Sequence, residues 1–108
     1  MEEKDLQGFL KEQQERIAKS ALPLRNIRIL DLGSIVAAPY AATILGDFGA
    51  EVIKIEPPDT PDGLRFWGVV EGKHPAYWAV ASRNKLPVTL NLKHPEGKKI
   101  FSRLVERA

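Results

Sequence analysis

The sequence predicts an α/β fold: a partial Rossmann-like parallel sheet opened by a β–α–β unit and preceded by an N-terminal helix. Three observations carry this reading. Two short apolar runs, residues 26–32 and 51–55, read as strands and flank a helix-like run at residues 40–48. The whole unit has the length of a crossover connection, about 30 residues, and such a connection favours parallel strands with a right-handed crossover. A third apolar run at residues 88–92 follows, and glycine or proline punctuates most of the junctions.

The elements follow in order. Residues 2–20 read as a helix, with Leu6, Phe9, Leu10 and Ile17 near one face and charged residues elsewhere. Pro23 ends it, because proline lacks the N–H and pushes its predecessor out of the α region. Two roles stay open for this segment: a helix that docks on a partner or a distant part of the chain, or an appended surface helix, since isolated helices are marginal. Residues 1–22 are therefore set apart from the domain at residues 23–108. The first strand carries Ile27, Ile29, Leu30 and Leu32. A small-residue turn of Gly33, Ser34, Ala37 and Ala38 leads to Pro39, which a first helical turn tolerates. Ile44, Leu45 and Phe48 are expected to form the buried face of that helix, and Gly49 suits the position after its end. Val52-Ile53-Lys54-Ile55 is the second strand, and Pro57-Pro58 ends it. Residues 59–74 read as a loop and residues 75–82 as a short helix carrying Tyr77, Trp78, Val80 and Ala81. The third strand is expected at residues 88–92, with Lys93 at its far end. His94-Pro95-Glu96 opens a last helix with Pro95 at its first position. That helix meets no glycine or proline stop signal, so the chain reads as cut within a longer protein.

Composition narrows the function. A length of 108 residues suits one domain, and 44% apolar with 28% charged residues is ordinary for a globular protein. The net charge of +2 is small and its Lys and Arg are interspersed with Asp and Glu, which argues against a nucleic-acid surface. No cysteine is present, which excludes disulfides, thiolate metal sites and a cysteine nucleophile. No apolar run approaches the roughly 18 residues of a membrane span. The mixed-charge start Met1-Glu2-Glu3-Lys4-Asp5 argues against a signal peptide, so a cytoplasmic location is expected.

Three features could carry chemistry. A strand running through a small-residue turn into a helix N-terminus makes an anion site, because free N–H groups and the helix dipole favour negative charge. The other reading of Gly33, Ala37 and Ala38 is close packing of the helix on the sheet. Glu56 ends the second strand at the place where dinucleotide folds bind ribose, but the run from Gly33 to Ala38 is not GxGxxG. Without that fingerprint, a solvated strand end is the default reading of Glu56. Lys85 and Lys93 flank the third strand and could pair with phosphate, or be an ordinary charged boundary. His74 and His94 are the only histidines, the second placed as a helix cap. No metal-binding spacing appears, and Ser34 lacks the GxSxG setting of a nucleophile.

Two stretches carry a resemblance. Residues 26–32, then Ala38-Pro39-Tyr40-Ala41-Ala42, then residues 45–58 (Leu-Gly-Asp-Phe-Gly-Ala-Glu-Val-Ile-Lys-Ile-Glu-Pro-Pro) form the first. Arg83-Asn84-Lys85 followed by residues 90–97 (Leu-Asn-Leu-Lys-His-Pro-Glu-Gly) forms the second. In order and spacing these resemble the opening of the class III CoA-transferases, a group that includes formyl-CoA transferase, carnitine CoA-transferase and the α-methylacyl-CoA racemases.

The resemblance implies a large Rossmann-like domain in an interlocked homodimer, acting on acyl-CoA and a carboxylic acid acceptor, with no permanently bound cofactor. It implies CoA across the carboxyl ends of the strands. Carried over by position, Val36 and Ala37 line the path after the first strand, Pro57 stands where some relatives have an arginine, and Leu90, Asn91, Leu92 and Lys93 form the next contact run. Lys93 is the best charge partner for phosphate; with Pro57 uncharged, such contacts are expected to shift to Lys54 or Lys85. The chain departs from the family pattern at Ser34 and Val36, where formyl-CoA transferase has histidine and glutamine, so a bulkier or more apolar acyl group is expected. Leu86 and Pro87 stand where an arginine is common, and Asn91 where an aspartate is usual. The family's nucleophile is an aspartate beyond position 108, and none of Asp5, Asp31, Asp47, Asp59 or Asp62 fits it, so no catalytic residue is assigned. The racemase branch, and a non-catalytic CoA-binding or partner module, remain the alternatives.

Overall fold

The computed structural model describes residues 3–19, 21–72 and 74–108. Helix α1 (Glu3–Lys19) precedes strand β1 (Arg28–Asp31), helix α2 (Ala37–Asp47) and strand β2 (Glu51–Glu56). A single 3-10 turn (Gly63–Phe66) and a two-residue hairpin, β3 (Val70–Glu71) and β4 (His74–Pro75), fill the loop after β2. Helix α3 (Ala76–Ala81), strand β5 (Lys85–Thr89) and helix α4 (Pro95–Val105) complete the order. Strands β1, β2 and β5 form a three-stranded sheet in that order, with both pairings parallel. Asp31 sits opposite Lys54, and Glu56 opposite Thr89. The chain is thus the parallel α/β assembly that the β–α–β pattern predicts.

Three expectations need correction. Helix α2 begins at Ala37 rather than Tyr40, with Pro39 inside its first turn, where no N–H is needed for the helical ladder. Its buried residues are Pro39, Ala42, Thr43 and Gly46, while Ile44, Leu45 and Phe48 are 37%, 38% and 52% exposed. The small residues let α2 lie close on the sheet and on α3: the Thr43 hydroxyl is 2.6 Å from the Ala81 carbonyl oxygen. Strand β5 spans Lys85–Thr89 instead of residues 88–92. Its partner β2 stops at Glu56 because Pro57 and Pro58 follow, so beyond the bond from Leu90 N–H to the Glu56 carbonyl (2.9 Å) the run has nothing to pair with. The Asn91 side chain then accepts the Lys93 N–H at 3.0 Å and turns the chain.

The apolar core is small. Ala42, Ala50 and Val52 form its buried cluster, with Leu24 and Ile29 packed against it. On α1, Phe9 and Leu10 stay 45% and 38% exposed and line a cavity of about 500 Å³ with Leu22, Val52 and Leu86, at the amino ends of the strands. The side chains of Leu6 and Ile17, and residues Glu2 and Ser20, lie outside the described residues. Among the described residues no helix is long and apolar enough to cross a membrane. Helix α4 starts as its sequence predicts: Pro95 is at the start of the helix and His94 Nδ1 accepts the Glu96 N–H at 3.2 Å.

Candidate CoA-binding edge

Parallel strands bring their carboxyl ends to one edge of the sheet, where ligands of open α/β sheets bind. Val36 and Ala37 follow β1 at the start of α2, Pro57 follows β2, and Leu90, Asn91, Leu92 and Lys93 follow β5. The fold therefore gathers seven of the eight expected contact positions on that edge. Leu90 and Leu92 are half-buried and the other five exposed. Lys85 is different. It begins β5, and its ammonium turns inward to Asp31 Oδ2 at 2.9 Å and the Pro39 carbonyl at 2.6 Å, with its side chain 3% exposed.

Two local structures shape the edge. At the β1 end, Gly33 admits no side chain: an added Cβ would lie 2.6 Å from Ala38 Cβ and 2.8 Å from Pro39 Cδ. Ile35, two residues on, has φ 67°, a region that branched residues rarely enter. No side chain caps α2, and no acidic residue stands in its first turn, so its leading N–H groups and dipole favour an anion. At the β5 end, Gly97 in the first turn of α4 presses on the loop: a Cβ there would fall 1.9 Å from the Asn91 carbonyl oxygen. That contact fixes the 90–93 run against α4.

Beneath the edge lies a buried ionic cluster. Lys54, with a 1% exposed side chain, pairs with Asp62 Oδ2 at 2.9 Å and Asp31 Oδ2 at 3.6 Å, and donates to the Gly33 carbonyl. Asp62 Oδ1 accepts the N–H groups of Ile35 (2.8 Å) and Leu64 (3.0 Å). Glu56 accepts the Asp62 N–H at 2.9 Å and takes Arg65 in a bidentate pair at 2.9 and 2.5 Å. The Arg65 guanidinium stacks 4.0 Å from the centre of the Trp78 ring. Three cations thus balance three carboxylates, as buried charge requires. The Arg65 bonds, opposed by burial and helped by the Asp62 N–H, hold the Glu56 carboxyl below its usual range. Burial opposes the Asp62 charge, but the Leu64 and Ile35 N–H groups and Lys54 outweigh it and hold that carboxyl low too.

Sequence reasoning missed most of this cluster. Glu56 is neither a ribose ligand poised in solvent nor a solvated strand end; it is 6% exposed and paired. Lys54 and Lys85 face carboxylates instead of solvent. The available signal was a lysine inside Val52-Ile53-Lys54-Ile55 and an aspartate closing the β1 run: a charge in the middle of an apolar strand is almost never buried without a partner. Arg83 and Asn84 are likewise structural: Arg83 grips Asp47 at 3.1 and 2.7 Å and Asn84 adds a bond at 3.0 Å, tying the turn before β5 to the end of α2.

Comparison with known proteins supplies the family. The sequence pattern described as CoA-transferase family III matches residues 24–108. The chain is 46% identical over 87 residues to the succinyl-CoA–L-malate CoA-transferase beta subunit of Chloroflexus aurantiacus, covering 80% of this chain and 22% of that protein. It is 43% identical over 83 residues to the human succinyl-CoA:glutarate CoA-transferase, covering 76% and 19%. A CAIB/BAIF family protein from Brucella suis superposes with a TM-score of 0.72 at 32% identity, over 82% of this chain and 25% of that one. The chain spans about a fifth of the length of these curated relatives. With its parallel sheet, its two spaced motifs and these matches taken together, the chain belongs to CoA-transferase family III.

Proposed function

We propose that this chain forms the CoA-side opening of an enzyme that moves CoA between an acyl-CoA thioester and a carboxylic acid. The observation that carries it is the convergence of Val36 and Ala37, Pro57, and Leu90, Asn91, Leu92 and Lys93 on the carboxyl edge of three neighbouring parallel strands. CoA lies along that edge, with backbone and van der Waals contacts predominating and Lys93 and the start of α2 facing its phosphates. Lys85 contributes from behind, through Asp31 and the Pro39 carbonyl, by holding the turn that CoA meets. CoA is a substrate in this reading, and no group is permanently bound.

The relatives' names point to succinyl-CoA as the first donor to try and to dicarboxylic acids as acceptors. Those names describe transferases, which favours transfer over racemisation. The covalent route takes a carboxylate nucleophile, and no carboxylate of this chain is proposed for that role. Asp31 and Asp62 are buried in ion pairs and Asp47 is held by Arg83. The chain alone is expected to bind CoA weakly and transfer nothing. An interlocked homodimer, a cytoplasmic location and an appended role for residues 1–22 belong to the same proposal. Some relatives are named as alpha and beta subunits, so a paired assembly is the competing arrangement.

The test uses the natural gene product carrying this sequence, incubated with labelled succinyl-CoA and a panel of dicarboxylic acids. Exchange of CoA onto the acid, with an enzyme adduct trapped by hydroxylamine, is the expected result. Epimerisation of an acyl-CoA without an acceptor would move the assignment to the racemase branch, and exchange without an adduct would remove the covalent route.

A further inference from the structure

We infer that Asp62 is a positioning residue for the CoA-binding edge: its carboxylate holds the turn after β1 in the conformation on which the ligand rests. The inference deepens the proposed function and rests on its placement of CoA at Val36 and Ala37. The starting point is Ile35. Its φ of 67° lies in the left-handed region, where a β-branched side chain crowds its own backbone. Such a residue persists only where its surroundings over-determine it. Here the acceptor at Ile35 itself is Asp62 Oδ1, 2.8 Å from its N–H, while Gly33 at the head of the turn is held by Lys54 on its carbonyl and by Asp31 Oδ1, which accepts its N–H at 3.0 Å.

Asp62 comes from a different loop, 27 residues away in the sequence, so its own fixity matters. Four groups supply it. The Leu64 N–H shares Oδ1, the Lys54 ammonium meets Oδ2 at 2.9 Å, and the Asp62 N–H bonds to Glu56 Oε1, whose carboxylate Arg65 holds through both oxygens. Lys54 also donates to the Gly33 carbonyl, at the other end of the same turn. The turn is therefore gripped at Gly33 and Ile35 by one buried unit, and Val36 begins immediately beyond that grip. Without the acceptor, Ile35 relaxes to a negative φ and carries Val36 and the start of α2 away from the ligand path.

The obvious variant, D62A, leaves Lys54 short of a partner and confounds positioning with stability. The comparison is therefore made in a K54M background, where neither D62N nor D62A faces the lysine charge and both lack the lysine's bond to the Gly33 carbonyl alike, so that the two differ only at position 62. D62N/K54M keeps an oxygen at Ile35 and D62A/K54M does not. In the natural gene product, CoA affinity is read by calorimetry and protection of the Ile35 amide by hydrogen exchange. D62N/K54M is expected to keep the Ile35 amide protected, and D62A/K54M to lose that protection and bind CoA about tenfold more weakly than D62N/K54M. Adding I35G to D62A/K54M restores affinity to within about threefold of D62N/K54M, because glycine takes positive φ without strain. A purely structural Asp62 would show no such rescue. Equal CoA affinity in D62N/K54M and D62A/K54M, or no gain from I35G, overturns the inference. Should the parent protein bind no CoA, the CoA placement fails, and the amide exchange still decides whether Asp62 sets the turn.

Discussion

Lys54 shows at the level of one side chain how the edge is braced from beneath. Its ammonium is almost fully buried between Asp62 and Asp31. Removing one partner of a buried pair leaves an uncompensated charge, which costs about 3–5 kcal/mol, whereas replacing both partners is often near neutral. K54M is therefore expected to lower the urea midpoint sharply, and K54M with D62N to recover most of the loss. The carboxylates give a matching pH dependence. Glu56 and Asp62 titrate lower in the fold than their ordinary values of 4.5 and 3.8. A depressed carboxylate pKa means that the unfolded chain takes up protons first as the pH falls. The stability they contribute is thus fully present above those ordinary values and is lost as pH falls through the lower folded-state values. Denaturation midpoints should be flat near neutrality and decline in acid; a midpoint that rises on acidification below pH 4.5 contradicts the pairing.

At the level of elements, the decisive contacts join loops to helix starts. Gly97 places the first turn of α4 directly on the Asn91 carbonyl. A methyl group there cannot be absorbed by a side-chain rotation, because the obstacle is backbone. G97A should cost about 1–3 kcal/mol or more, the range for overpacking, and should weaken CoA binding by displacing the 90–93 run. Urea denaturation and a CoA titration of the same variant check both effects, and unchanged affinity with lowered stability would detach that run from the site. The clamp of Arg83 and Asn84 on Asp47 joins α2 to β5 in the open. The Arg83 bonds hold the exposed Asp47 carboxyl below its usual range, and salt should screen this pair far more than the buried cluster.

The whole chain is thinly cored for its size. Among the described residues its buried groups are nearly as rich in charge as in hydrocarbon: Asp31, Lys54, Glu56 and Asp62 stand beside Ala42, Ala50, Val52, Ile55 and Leu64. Phe66, Val69 and Val80 are 72%, 77% and 64% exposed, and β1 and β5 are both edge strands of the three-stranded sheet. Exposed apolar side chains beside open sheet edges favour self-association. Isolated residues 1–108 should therefore gain apparent mass with concentration in sedimentation, and a strictly monomeric species across the accessible range would show those surfaces to be innocuous.

The sequence by itself determined the order of the α-helices and of the three sheet strands, though not the 3-10 turn and hairpin after β2, and with it the parallel β–α–β start, the cap of α4 and the family, because these follow from local periodicity, proline and glycine placement, and two spaced motifs. It also named the seven positions that meet at the carboxyl edge. Only the tertiary structure decided that Lys54 and Lys85 turn inward, that Glu56 is locked to Arg65, that β5 ends where its partner strand ends, and that Asp62 reaches across 27 residues to Ile35. The reason is physical. A strand's limits depend on the neighbour it bonds to, and a charge's role depends on the partner that burial brings beside it, and neither partner is adjacent in the chain.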